Sequence, residues 1–211
     1  MNHSVTIRLA TSKDSARLLE IYGPFVENTA ASFEYTVPKE AEFEIRISSV
    51  LEKLPWLVCE LGGKAAGYAY ASMHKARAAY EWSVDTSVYV DPAQHGRHIG
   101  TVLYTALFEL LRIQGYINAY AGITQPNAKS EGLHASFGFV PIGIFHHVGY
   151  KFGAWHDVKR LELLLTELPE KPEKPKTINE IKETEAFSSI VKSAAAMVRM
   201  DYYSTVRRQP V

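Results

Sequence analysis

WSVDTSVYVDPAQHGRHIG, residues 82–100, reads as a strand, a turn and the start of a helix. Its first half, through Val90, is β-branched and aromatic with alternating polarity, the pattern of a strand, and its neighbours make it a central one. TVLYTALFELLRIQG follows with apolar residues at helical spacing, so a helix runs from about Gly100 to Gln114. Between them QHGRHIG (Gln94–Gly100) carries Gly96 and Gly100 for flexibility and close approach, with His95, Arg97 and His98 as donors. A strand that turns through glycine into a helix presents backbone N–H groups and the positive end of the helix dipole to an anion. By its letters alone the phosphate signal is weak, because two glycines before a helix more often make only a turn.

Outward from this stretch the elements alternate. VTIRLA is a strand and TSKDSARLLEIYGPFVENT a helix; KEAEFEIRISSVLEKL is a second helix after the extended ASFEYTVP. WLVCELGGKAAGYAYASMH reads as two strands joined at Gly62-Gly63, which supply the positive φ of a tight hairpin. Beyond the central helix come a strand, INAYAGI, a short helix, SEGLHASFG, and two last strands near FVPIGIFHHVGY and HDVKRLELLL. The order βααβββαβαββ predicts an α/β or α+β layered fold with a mixed sheet. The domain is expected over 1–168, a proline-rich charged linker over 169–177, and a C-terminal extension over 178–211. In the extension Ile178, Ile181, Ile190, Val191, Ala194 and Val198 fall near one face of a single possible helix, a stripe that calls for a packing partner.

Composition narrows the function. Lys+Arg and Asp+Glu are both 23 among 211 residues, so overall charge favours neither nucleic acid nor an anionic membrane. No segment approaches the ~20 apolar residues that span a bilayer, and the expectation is a soluble, cytoplasmic protein acting on a small partner. The single cysteine, Cys59, lies in the apolar run WLVCEL, which excludes an internal disulfide framework and reads as a buried structural thiol. His146 and His147 are adjacent on a strand and point to opposite faces, and His156-Asp157 fail likewise, so no metal is expected.

The order of elements and the loop together resemble the GNAT superfamily of acetyl-CoA-dependent N-acetyltransferases. Over about residues 5–170 the chain is similar to the phosphinothricin N-acetyltransferase branch, in the phrases IRLAT, ENTAASFEYTVP, PWLVCELGGKAAGYAYAS, AYEWSVDTSVYV, GITQPNAKSEGLHASFGF and VGYKFGAWHDV. The resemblance implies a mostly antiparallel central sheet flanked by helices, with a splayed central strand pair, and acetyl-CoA as cosubstrate. It implies that Val88, Tyr89, Val90, His95, Gly96, Arg97, His98, Ile99, Gly100, Asn127 and Ser130 contact the cosubstrate. The family's loop has Arg or Gln, two residues, Gly, one residue, then Gly or Ala; here those positions are His95, His98 and Gly100. Because amides do the binding, His98 is compatible with the loop provided its φ is negative at the helix start.

An alkylammonium cannot attack a thioester until a base removes a proton. In the family that base is a glutamate on the central strand, and the matching residue is Asp85, one methylene shorter; read alone, Asp85 is a polar strand-end residue. Backbone amides around Ser87–Val90 would stabilise the developing oxyanion. His134, four residues before Gly138-Phe139, matches the position that supplies a proton to the leaving thiolate, whereas read alone it is a packed helix residue. Asn127 and Ser130 also suit capping of the short helix. For an acceptor bearing a carboxylate and a phosphinate or sulfoximine, the branch implies Phe33, Lys75, Arg77, Tyr80 and Lys151, and it implies a homodimer. Three readings stand: acetylation of the α-amino group of such an amino-acid analogue, acetylation of another amine such as a polyamine or protein N-terminus, and a non-catalytic acyl-CoA-binding module.

Overall fold

The strand expected in VTIRLA is β1 (Val5–Leu9), and the helix after it is α1 (Ser15–Asn28). A computed structural model describes residues 4–198. Helix α1 buries Leu18, Ile21, Tyr22 and Val26, the face that a 3.6-residue period brings together, and α2 (Glu40–Leu51) buries Phe43 and Ile47 beside it. Strands β2 (Trp56–Leu61) and β3 (Lys64–Met73) form the hairpin, with φ of +59° at Gly62 and +82° at Gly63. Then follow β4 (Ser83–Val90), α3 (Ile99–Gln114), β5 (Asn118–Thr124), α4 (Ala128–Ser136), β6 (Val140–Lys151) and β7 (Ala154–Leu164). This is the order read from the sequence.

The strands form one seven-stranded sheet in the order β1-β2-β3-β4-β5-β7-β6, which places β4 in the centre. All pairs are antiparallel except β4 and β5, which run parallel. Their register covers only Ser83–Asp85 against Asn118–Tyr120, while β4 continues to Val90 on β3 and β5 continues to Thr124 on β7. The central pair is therefore splayed beyond Asp85. Two cores cover the sheet, one led by Leu103, Tyr104, Leu107 and Leu111 of α3, the other by α1, α2, Trp56 and Tyr68. Helix α3 approaches closely because residue 67 is glycine: a Cβ there would lie 2.9 Å from Ile99 Cγ2 and 3.0 Å from Tyr89 O. Cys59 is buried, and burial pushes its thiol up to about 12, which leaves it inert at neutral pH.

The proline-rich segment is extended but held. Trp82 Nε1 donates to Glu173 O at 2.7 Å, and Gln114 Nε2 donates to Lys53 O and Lys176 O, each at 2.8 Å. Beyond it the single expected helix is two: α5 (Ile178–Ile181) and α6 (Glu185–Ala196). The break falls where Thr184 accepts from Phe187 N, an N-cap that starts a new helix. The apolar stripe does pack, with Ile178, Ile181, Ala194 and Val198 buried and α6 lying on β1 and α3. The remainder of the extension, 199–211, lies outside the described residues. No helix among the described residues is long and apolar enough to cross a membrane.

Candidate active site

Where β4 and β5 part, they open a cleft of about 480 Å³. Val88, Tyr89 and Val90 form one wall, Asn127, Ser130 and His134 the other, and His95, Gly96, His98, Ile99 and Gly100 line the end next to α3. Eleven residues expected to meet at one site thus share one cleft. Arg97 belongs to the same loop but is not part of the wall.

The loop conformation corrects the expectation for His98. Its φ is +60°, left-handed, and it is the N-cap of α3; Gly96 has φ +83°. This position disfavours a side chain, which explains glycine as the family preference, and histidine occupies it at a cost of about 1 kcal/mol. The turn that requires this φ is what brings the amides of Ile99, Gly100 and Thr101 to the mouth ahead of the first intrahelical bond, Val102 N to His98 O at 3.0 Å. The loop is anchored from behind by Asp91, which accepts from Ala93 N at 2.9 Å and pairs with Arg17. Burial, the largest single effect, pushes the Asp91 carboxyl up, but the Ala93 amide, Arg17 and Lys64 together hold it below its ordinary pKa. His95 Nε2 lies 3.3 Å from Val90 O, so its ring is turned to the backbone of β4.

In the opposite wall, Asn127 caps α4 by accepting from Ser130 N at 3.1 Å. His134 is buried, and its Nδ1 lies 2.8 Å from Ser130 O. A carbonyl only accepts, so Nδ1 carries the proton. Burial lowers the His134 pKa, opposed by that carbonyl, and the neutral ring turns its Nε2 lone pair to the Tyr104 hydroxyl at 3.2 Å. Tyr104, also buried and lining the cleft, is pushed above its ordinary pKa by desolvation. Of this pair the tyrosine holds the proton.

Asp85 lies at the last paired position before the split. Its Oδ1 accepts from Arg160 Nη2 at 2.8 Å, and its Oδ2 lies 2.9 Å from His74 Nδ1. Arg160, on β7, reaches it across Gly122, its register partner on β5; a Cβ at 122 would lie 2.9 Å from Arg160 Nη1. The His74 ring stacks on Tyr120 with centroids 4.5 Å apart. His74, Tyr104 and Arg160 were not singled out in the sequence. Tyr104 reads there as one more apolar position of α3, whereas Gly122 in mid-strand was a usable sign of a close approach.

The acceptor residues divide. Lys75 Nζ sits 5.1 Å from the centroid of Tyr80, whose ring meets His74 at 6.0 Å, so this pair joins the Asp85 cluster. Arg77 is exposed at the start of the turn between β3 and β4. The Phe33 ring covers Gly149 and lies 6.2 Å from that of His156. Lys151 departs from its expected role. It is buried, and its ammonium donates to Val26 O at 2.6 Å, Thr29 O at 3.0 Å and Ser32 O at 2.7 Å, which uses its three protons. Burial lowers its pKa, opposed by Glu34. Lys151 is the strap that fixes the segment after α1 against β6, helped by Tyr35 Oη donating to Tyr150 O at 2.6 Å.

His146 and His147 both turn to Asp157, through Nδ1 at 2.9 Å and the backbone amide at 2.8 Å. Among the described residues no three His, Cys, Asp or Glu side chains are grouped to hold a metal ion.

A parted strand pair next to a helix N-terminus, with a histidine–tyrosine pair in one wall and a carboxylate at the last paired position, suits an anionic ligand laid across the strand gap. The chain belongs to the acetyltransferase (GNAT) family, whose domain model matches residues 7–159, and acetyl-CoA is its cosubstrate. It is 36% identical over 154 residues to the phosphinothricin N-acetyltransferase of Streptomyces viridochromogenes, covering 73% of this chain and 84% of that one. It is 35% identical over 164 residues to the L-methionine sulfoximine/L-methionine sulfone acetyltransferase of Salmonella typhimurium, covering 77% and 96%. The structure of a GNAT superfamily phosphinothricin acetyltransferase from Sinorhizobium meliloti, in complex with acetyl-CoA, superposes with a TM-score of 0.77 at 32% identity, covering 82% of this chain and 95% of that one.

The loop geometry makes a prediction at His98. In His98→Gly the left-handed position is relieved, so stability should rise by about 1 kcal/mol in chemical denaturation, with coenzyme A affinity equal to or tighter than wild type by calorimetry. A tenfold loss of affinity would mean that the imidazole itself contacts the ligand.

Proposed function

We propose that the chain acetylates the α-amino group of a small amino-acid analogue of the phosphinothricin or methionine sulfoximine type, by direct attack with general-base catalysis. The observation that carries this reading is the Asp85 carboxylate, fixed by Arg160 and His74 at the last paired position before the strands part, next to Thr86, the first β4 residue of a cleft lined by helix-start amides. The named activities of the relatives support the acceptor class.

The cleft fits the cosubstrate in kind. The amides of Ile99–Thr101, with Gly96 and Gly100 allowing close approach, suit a pyrophosphate; Asn127 and Ser130 flank the narrower part; the β4 wall at Val88–Val90 offers backbone groups that β5 no longer pairs. Acetyl-CoA supplies an activated thioester carbonyl there. The β4 amides stabilise negative charge on its oxygen. The Asp85 centre draws the proton from the acceptor's ammonium, freeing the lone pair. For the departing sulfur, neutral His134 carries its only N–H at Nδ1, bonded to Ser130 O, and the donor is the Tyr104 hydroxyl, whose proton turns from His134 Nε2 to the sulfur, with solvent restoring it afterwards. Phe33, Lys75, Arg77 and Tyr80 bound the acceptor side, and Lys151 contributes by holding the segment that carries Phe33.

We also propose a homodimer through the β6 edge. Val140, Ile142, Ile144, Phe145, Val148 and Trp155 are all roughly half exposed along β6 and β7, and β6 is an edge strand with unpaired backbone groups on its outer side. A second copy of the same edge covers both the apolar and the hydrogen-bonding surface.

Two measurements test this subsection. Asp85→Asn should lower turnover by about two to four orders of magnitude while coenzyme A affinity stays near wild type, read by thiol release with a panel of amines; tight coenzyme A binding with no turnover of any amine by the wild type would instead support a non-catalytic module. Light scattering should give twice the chain mass, shifting to the monomer in Ile144→Asp; a monomeric wild type would remove the dimer.

A further inference from the structure

His74 follows the last residue of β3, with its amide donating to Ser83 O at 3.3 Å and its ring stacked on Tyr120. Asp85 accepts from Arg160 through one oxygen and meets His74 Nδ1 through the other. A carboxylate that holds an arginine is ionised and can only accept, so the proton shared with His74 belongs to Nδ1. The lone pair of the neutral ring is then at Nε2, on the side away from the carboxylate. Nε2 has no hydrogen-bond partner among the described residues, and the side chain is 17% exposed. Asp85 meanwhile has both oxygens engaged.

We propose that His74 Nε2, not the Asp85 carboxylate, receives the acceptor's proton, and that Asp85 is the positioning residue that sets the tautomer and stabilises the imidazolium. The proposal rests on the acetyltransfer reading above. An N–H proton of the acceptor ammonium passes to Nε2, leaving the ring protonated at both nitrogens and bonded through Nδ1 to Asp85. The freed amine lone pair forms the C–N bond; as the C–S bond breaks, the sulfur takes the Tyr104 proton, the second proton on nitrogen leaves to solvent, and solvent returns one proton to the Tyr104 oxygen. Arg160 holds Asp85 in place so that the carboxylate remains an acceptor throughout.

The charged and titratable groups around His74 come from each neighbouring element. Asp85 of β4 meets its Nδ1, Arg160 of β7 shares that carboxylate, Lys75 and Tyr80 lie in the following turn, and Tyr120 of β5, itself near Glu162 of β7, stacks on the ring. Desolvation, with Glu162 and Asp85, raises the Tyr120 pKa, so that ring is a neutral platform at neutral pH.

The proposal is tested with three variants and one spectrum. His74→Gln should lower kcat/KM about 10²–10³-fold, keep coenzyme A affinity and the melting temperature, and remove the acid limb of the pH–rate profile. His74→Ala should regain at least tenfold activity with added imidazole, which a merely structural residue would not. In the free wild-type protein, ¹⁵N-edited NMR of the ring should show the Nδ1-protonated tautomer; the Nε2-protonated form would overturn the proposal. If His74→Gln stays within threefold of wild type while Asp85→Asn is severely impaired, the carboxylate itself is the base, and this inference fails while the acetyltransfer reading stands. If both variants stay near wild type, the Asp85 centre as base fails with it.

Discussion

The site depends on how briefly β4 and β5 are paired. Three residues of each strand are in register, and after Asp85 and Tyr120 the two strands follow different neighbours. Buried backbone N–H and C=O groups must find partners. Along Thr86–Val90 those facing β5 have no partner on that strand. Thr86 Oγ1, donating to Tyr120 O at 3.3 Å, closes the base of the split. The helix that follows β4 starts at the far end of the same gap, so one short register sets the positions of both the open strand wall and the helix-start amides.

Around that gap the chain uses long-range polar contacts to hold what the sheet leaves loose. Arg160 crosses Gly122 to fix Asp85, which fixes His74; Lys151 gathers three carbonyls from the end of α1 and the segment after it. Each is a cation whose partners come from a different element. The Asp85 carboxylate meets the His74 imidazole through one oxygen and the Arg160 guanidinium through the other. The aspartate at 85 and the histidine at 74 are thus read as one unit.

The order of the elements was legible because each has a clean period: Leu18, Ile21, Tyr22 and Val26 can form only one helical face, and the glycine pair at 62–63 can form only a turn. The cleft walls were legible through the resemblance, since the phrases that carry it fall on β4, the loop and α4. What escaped depends on distance or dihedral angle. A negative φ at His98 is the condition residue type alone sets for that position, but the loop imposes +60°. Lys151 looked like a free cation because its carbonyl partners lie 119 to 125 residues away. Tyr104 was hidden in an apolar helix, and the break at Thr184 was hidden under a stripe that runs through two helices in turn.

The central claim is that backbone amides of the parted β4 strand and of the α3 start hold the cosubstrate. Hydrogen–deuterium exchange with and without acetyl-CoA measures those amides directly. Protection of Val88–Val90 and Ile99–Thr101 on binding, with the β1–β2 pair unchanged, is the predicted result; acetyl-CoA binding that leaves both stretches exchanging at their free rates would contradict it.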